Sequence, residues 1–87
     1  MLFHPGSIVA TPGALELAQQ GINLLAYLKR HLQGDWGELC DTDKAENDFS
    51  LANGYRLLSA YTTPCGKLWI ITEADRSTTT FLLPDEY

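Results

Sequence analysis

The feature that most constrains this chain is a change of period at Gly54. Before it, apolar residues recur at three- and four-residue intervals. After it they fall into short runs rich in β-branched and aromatic residues. Leu57–Thr63 (LLSAYTT), Lys67–Glu73 (KLWIITE) and Thr78–Leu83 (TTTFLL) read as three strands. Thr63-Pro64-Cys65-Gly66 has proline second and glycine fourth, the pattern of a tight turn. Ala74–Ser77 makes the next turn, where Asp75 can bond its own backbone. The middle run is apolar on both faces at Leu68-Trp69-Ile70-Ile71, as a central strand requires. Trp69, Ile71, Phe81 and Leu83 are the expected sheet core.

Three helices are expected upstream. Thr11 caps the first, Pro12 suits its first position, Glu16 is expected in its first turn, where the dipole favours an acid, and Gly21 stops it. The second begins after Asn23, with Ile22 and Tyr27 at hydrophobic-staple spacing. Its stripe is Leu24, Leu25, Leu28 and Leu32; Lys29, Arg30 and His31 sit in its last turns and Gly34 ends it. Asp35–Cys40 is a glycine-rich connector. The third helix spans about Thr42 to Asn53, with capping-box spacing at Asp43 and Glu46 and a shared face at Ala45, Phe49 and Ala52. Together these predict one α+β domain over residues 1–87. Its N-terminal helices pack on a three- to four-stranded antiparallel sheet that ends in a β-meander, Ile8-Val9-Ala10 supplying the fourth strand.

Composition narrows the function classes. A hydrophobic fraction of 45% argues against disorder. No apolar run reaches the ~20 residues of a membrane span, and Met1–Gly6 lacks the basic and apolar regions of a secretion signal, so a cytoplasmic location is expected. Net charge is −5, and the six basic residues are scattered apart from Lys29-Arg30, which disfavours nucleic acid as a partner. Six of the eleven acids fall between Asp35 and Asp48, either a solvated face or a patch for a basic partner. Cys40 and Cys65 have no zinc spacing and read as reduced thiols. No metal or cofactor motif is present.

The candidate binding residues fall in two places. Glu73, Asp75, Arg76 and Ser77 gather acids, a guanidinium and a hydroxyl in one turn; such residues more often simply build the turn. Alternation puts Glu73 on the face of Trp69 and Ile71, with Arg56 or Arg76 as its partner. Asp35 and Trp36, with His31 a turn earlier, could line a pocket, although an indole more commonly caps a small core. His31 itself reads as partly exposed. A thiolate–imidazole pair of His31 with Cys40 or Cys65 is not required by any spacing. A helix-turn-helix around Gly21, with Asn23–Gln33 as recognition helix, is weaker than an ordinary helical hairpin.

The strings GDWGELC (Gly34–Cys40), RLLSAY (Arg56–Tyr61) and WIITEADRSTTTFLLPDEY (Trp69–Tyr87), with VATPGAL (Val9–Leu15), resemble a family of small bacterial proteins that occur on plasmids and other mobile elements and carry the description "plasmid-related protein". The resemblance spans nearly the whole chain. It implies a context and no reaction, so no catalytic residue carries over; it favours Trp36, Glu73, Asp75, Arg76 and Ser77 as site residues. The leading expectation is a small accessory protein that binds a protein partner. The alternatives are a small-ligand or enzymatic domain using Glu73, Asp75 and Arg76, and DNA binding through Asn23–Gln33 or acidic DNA mimicry. A homodimer through an open sheet edge is also compatible with the pattern.

Overall fold

Helix gives way to sheet at Gly54, which takes the left-handed conformation that ends the third helix. The computed structural model describes residues 1–87. In chain order it has strand β1 (Ser7–Ala10), helices α1 (Pro12–Gln19), α2 (Leu24–Leu32) and α3 (Asp41–Asn53), strands β2 (Leu57–Thr63), β3 (Gly66–Thr72) and β4 (Thr78–Leu82), and a 3-10 turn at Pro84–Glu86. The α+β class, the meander and the fourth strand are as the sequence predicts.

The sheet order is β1-β4-β3-β2, and here the expectation of an antiparallel sheet is corrected. The meander is antiparallel, but β1 joins β4 in parallel, with Ser7 opposite Thr78 and Ala10 opposite Phe81. The reason lies at the strand ends. Glu86, just past β4, accepts hydrogen bonds from the Thr11 hydroxyl (2.6 Å) and the Gly13 amide (3.0 Å) at the start of α1. That cap requires β1 and β4 to finish at the same end of the sheet. The acid that serves this helix start therefore comes from the far end of the chain. Thr11 adds its own cap by accepting from the Ala14 amide.

One sheet face is covered by α1 and α2. Ala14, Leu17 and Leu28 pack there on Tyr61, Leu68, Ile70 and Phe81. Of the expected core residues, Ile71 and Phe81 are buried, Leu83 is half-buried at the rim of the main core, and Trp69 is half-buried on the sheet face away from α1 and α2, where the Tyr87 ring meets it edge-on. In α2, Leu28 is buried, whereas Leu25 stands 66% exposed.

Helix α3 corrects a second expectation. Its Ala45, Phe49 and Ala52 face points to solvent, and the side turned inward carries Asn47 and Leu51. The cause is the edge of β2. Asn47 donates from its amide nitrogen to the Leu58 carbonyl and accepts from the Leu58 amide at 3.2 Å. Two positions on, Ala60 donates to the Trp36 carbonyl and accepts from the Glu38 amide. A carboxamide and a short connector thus satisfy an edge that would otherwise be left as unpaired backbone, and a polar residue outranks an apolar stripe for that position. Gly37 makes the approach possible. Its φ is +78°, and a Cβ there would collide with the Ala60 carbonyl oxygen.

Candidate functional site

A second, smaller core lies between α2, α3 and the connector, built on Phe3, Trp36 and Leu57. Trp36 is buried and donates from its indole nitrogen to Asp48 at 3.0 Å. It stacks on Phe3 and meets His31 edge-on. The indole caps a core, as its residue type suggests.

His31 is fully buried, not partly exposed. Nδ1 lies against the Ser59 hydroxyl and Nε2 is 2.9 Å from the Thr72 hydroxyl. Thr72 bonds Thr79 at 2.7 Å, and Thr79 donates to the Pro5 carbonyl at 2.7 Å. The Pro5 oxygen can only accept, and that fixes the whole chain. Thr79 spends its proton on Pro5, so Thr72 donates to Thr79. Nε2–H then donates to Thr72, and Nδ1 accepts from Ser59. The imidazole is neutral and its tautomer is set from the far end. Burial, assisted by the Arg76 charge, lowers its pKa from 6.5 to about 4. Ser59, Thr72 and Thr79 are themselves fully buried, so this serine–histidine pair is closed to any solute. The sequence does hold a signal for it: three hydroxyls at inward positions, one on each of three adjacent strands, need a buried polar partner, and His31 is the residue of α2 that is both fully buried and able to give and to accept.

The six candidate binding residues belong to two local structures, the connector at Asp35 and Trp36 and the β3–β4 turn at Glu73, Asp75, Arg76 and Ser77. Asp35 pairs with the Arg30 guanidinium at 2.7 Å and accepts from the Gly37 amide. The Arg30 bond holds its carboxyl below the ordinary carboxylate range. Arg30 lies over the Tyr61 ring, and the Tyr61 hydroxyl donates to the Asp35 carbonyl; burial pushes that phenol up to about 12. In the β3–β4 turn, Glu73 pairs with Arg56 at 3.6 Å across a half-exposed surface. Asp75 closes an Asx turn on the Ser77 amide, and hydrogen bonds from Ser77 keep its carboxyl below the usual range.

Arg76 has φ +60°, a left-handed conformation unusual for a side-chain-bearing residue. Its guanidinium donates to the carbonyls of Ser50, Tyr55, Glu73 and Ala74 and sits over the Phe3 ring. It therefore ties the turn to the end of α3, where the last carbonyls and the negative end of the helix dipole favour a cation. Glu73 lines a shallow hollow with Arg56, Thr11 and Tyr87 that Asp75, Arg76 and Trp36 do not reach. The polar groups of the turn and Trp36 do not converge on one concave site.

The surface that does gather exposed chemistry is the outer face of α3. Phe49 is 60% exposed and stacks on exposed Tyr55 at 5.9 Å. Thr42, Ala45, Glu46 and Phe49 line a hollow of about 380 Å³. Asp41 and Asp43 stand on the exposed first turn of the same helix. Cys40, at its start, and Cys65, in the β2–β3 turn, are free and exposed. No group of three His, Cys, Asp or Glu side chains is placed to hold a metal ion, and no helix is long and apolar enough to cross a membrane. Comparison with protein-family models, curated proteins and solved structures finds no match.

Proposed function

We propose that this chain is a small cytoplasmic protein-binding module, an accessory factor of the plasmid or mobile-element kind that it resembles, and that it receives its partner on the outer face of α3. One observation carries the proposal. The apolar stripe Ala45–Phe49–Ala52, which a helix packed by its apolar face would bury, is turned to solvent and accompanied by exposed Asp43 and Glu46. An exposed aromatic pair on an acidic helix, with Glu46 beside Phe49, suits a partner segment that is basic and partly apolar, the acids steering the encounter and Phe49 and Tyr55 anchoring it.

The test compares capture of host proteins by wild type and by Phe49→Ala and Glu46→Lys. Both positions are exposed, so both variants keep the fold, checked by circular dichroism. The expected result is a partner retained by wild type, released as salt rises, and lost from both variants. Capture of nothing above controls, or of the same proteins by all three forms, refutes the proposal.

A further inference from the structure

The two edges of the sheet are treated differently. The β2 edge is closed at Leu58 and Ala60 by Asn47 and the Trp36–Glu38 connector. The β1 edge has no such cover. Ser7 and Thr11 donate inward to Ser77 and Phe81, so by alternation the N–H and C=O groups of Ile8 and Ala10 point out of the sheet. The strand, Ser7-Ile8-Val9-Ala10, carries no charged residue and no proline that would guard it. Ile8 and Val9 are 47% and 46% exposed. Beside them an uncharged groove of about 640 Å³ runs between β1, α1 and α2, with Leu15 and Leu25 on its rim.

We infer that a second copy of this chain occupies this edge, the two β1 strands pairing antiparallel about a two-fold axis through Val9. That register leaves no remainder. Ile8 and Ala10 of one copy exchange hydrogen bonds with Ala10 and Ile8 of the other, so every outward N–H and C=O on both strands is used. The larger side chain of each pair meets the smaller one. The two helix layers come to lie on the same side of an eight-stranded sheet, and each groove with its rim leucines is covered by the other copy. Charge favours this edge too. Six of the eleven acids lie in Asp35–Asp48, at the β2 end, and the two-fold through β1 places both acidic ends outermost. An unrelated extended peptide would satisfy the same backbone groups, but only a second copy brings the complementary groove with it.

The experiment is sedimentation of the full chain from about 1 µM to about 1 mM, the range in which a small interface is read. Wild type is expected to pass from monomer to dimer. Val9 faces its own symmetry mate, so Val9→Lys and Val9→Glu each set like charges opposite one another and should each shift the midpoint at least about tenfold upward. An equimolar mixture of the two variants should regain association. Both variants are checked for native circular dichroism, and position 9 is exposed in the monomer. A wild type that stays monomeric throughout leaves the edge to another occupant and overturns the inference. So do variants that associate like wild type, or a mixture that fails to recover. Phe49→Ala, which tests the α3 surface at the opposite end of the sheet, should leave self-association unchanged; if it dissociates the dimer, the edge is not the interface.

Discussion

Acidification should unload His31 from the core, and the size of that effect follows from its surroundings. The imidazole is neutral and buried in the native state with a pKa of about 4, against an ordinary value of 6.5. As pH falls below 6.5, the unfolded chain takes up the proton first, so stability present at neutral pH is lost down to the native pKa. At about 1.4 kcal/mol per pH unit, going from about pH 7 to about pH 4 removes about 3 kcal/mol. For a domain of this size that is a large share of the ~5 kcal/mol available. The carboxyls of Asp35, Asp75 and Glu86 have lowered pKa values, so their contribution is intact at neutral pH, begins to fall only as pH enters the usual carboxylate range at the acidic end of this window, and is lost below it. Urea unfolding of wild type and His31→Gln across the window isolates the histidine, because both proteins share every other titrating group. The stability difference between them should narrow by about 3 kcal/mol on acidification. If the glutamine variant does not fold, the His31 ring resonances of wild type give the pKa directly, and their nitrogen shifts should show the proton on Nε2. Parallel pH curves, a native midpoint near 6.5, or an Nδ1–H tautomer would refute the buried-chain reasoning.

Three further outcomes are expected. Asn47→Leu should cost about 2 kcal/mol in urea unfolding despite its greater hydrophobicity, because both Leu58 backbone groups lose their partner. Gly37→Ala should destabilise by at least about 2 kcal/mol, and hydrogen exchange at the Glu38 and Ala60 amides should rise, since a Cβ meets the Ala60 carbonyl at a positive φ. Arg76→Ala should lower thermal stability by about 2 kcal/mol, and Arg76→Lys should restore only part of it, because an ammonium cannot span the carbonyls of Ser50 and Tyr55 as the guanidinium does. A thermal melt of Arg76→Ala that matches wild type would show that the turn stands without its clamp.

The sequence alone determined what is local. Proline and glycine positions set the turns, threonine set the cap of α1, and the switch of period at Gly54 set helices before strands, because each depends on residues a few positions apart. The indole of Trp36 and the Asx turn at Asp75 were legible for the same reason. Tertiary structure decided whatever needed two distant segments. It made β1 parallel, because Glu86 at one end of the chain caps α1 near the other. It turned α3 inside out, because the β2 edge demanded the carboxamide of Asn47 more than it demanded Phe49. It buried His31, because hydroxyls on three strand positions and a carbonyl at Pro5 line up only once the sheet is formed. Periodicity records which side chains prefer to be dry; it does not record which backbone groups will be left without a partner, and in this protein those groups decided which faces point inward.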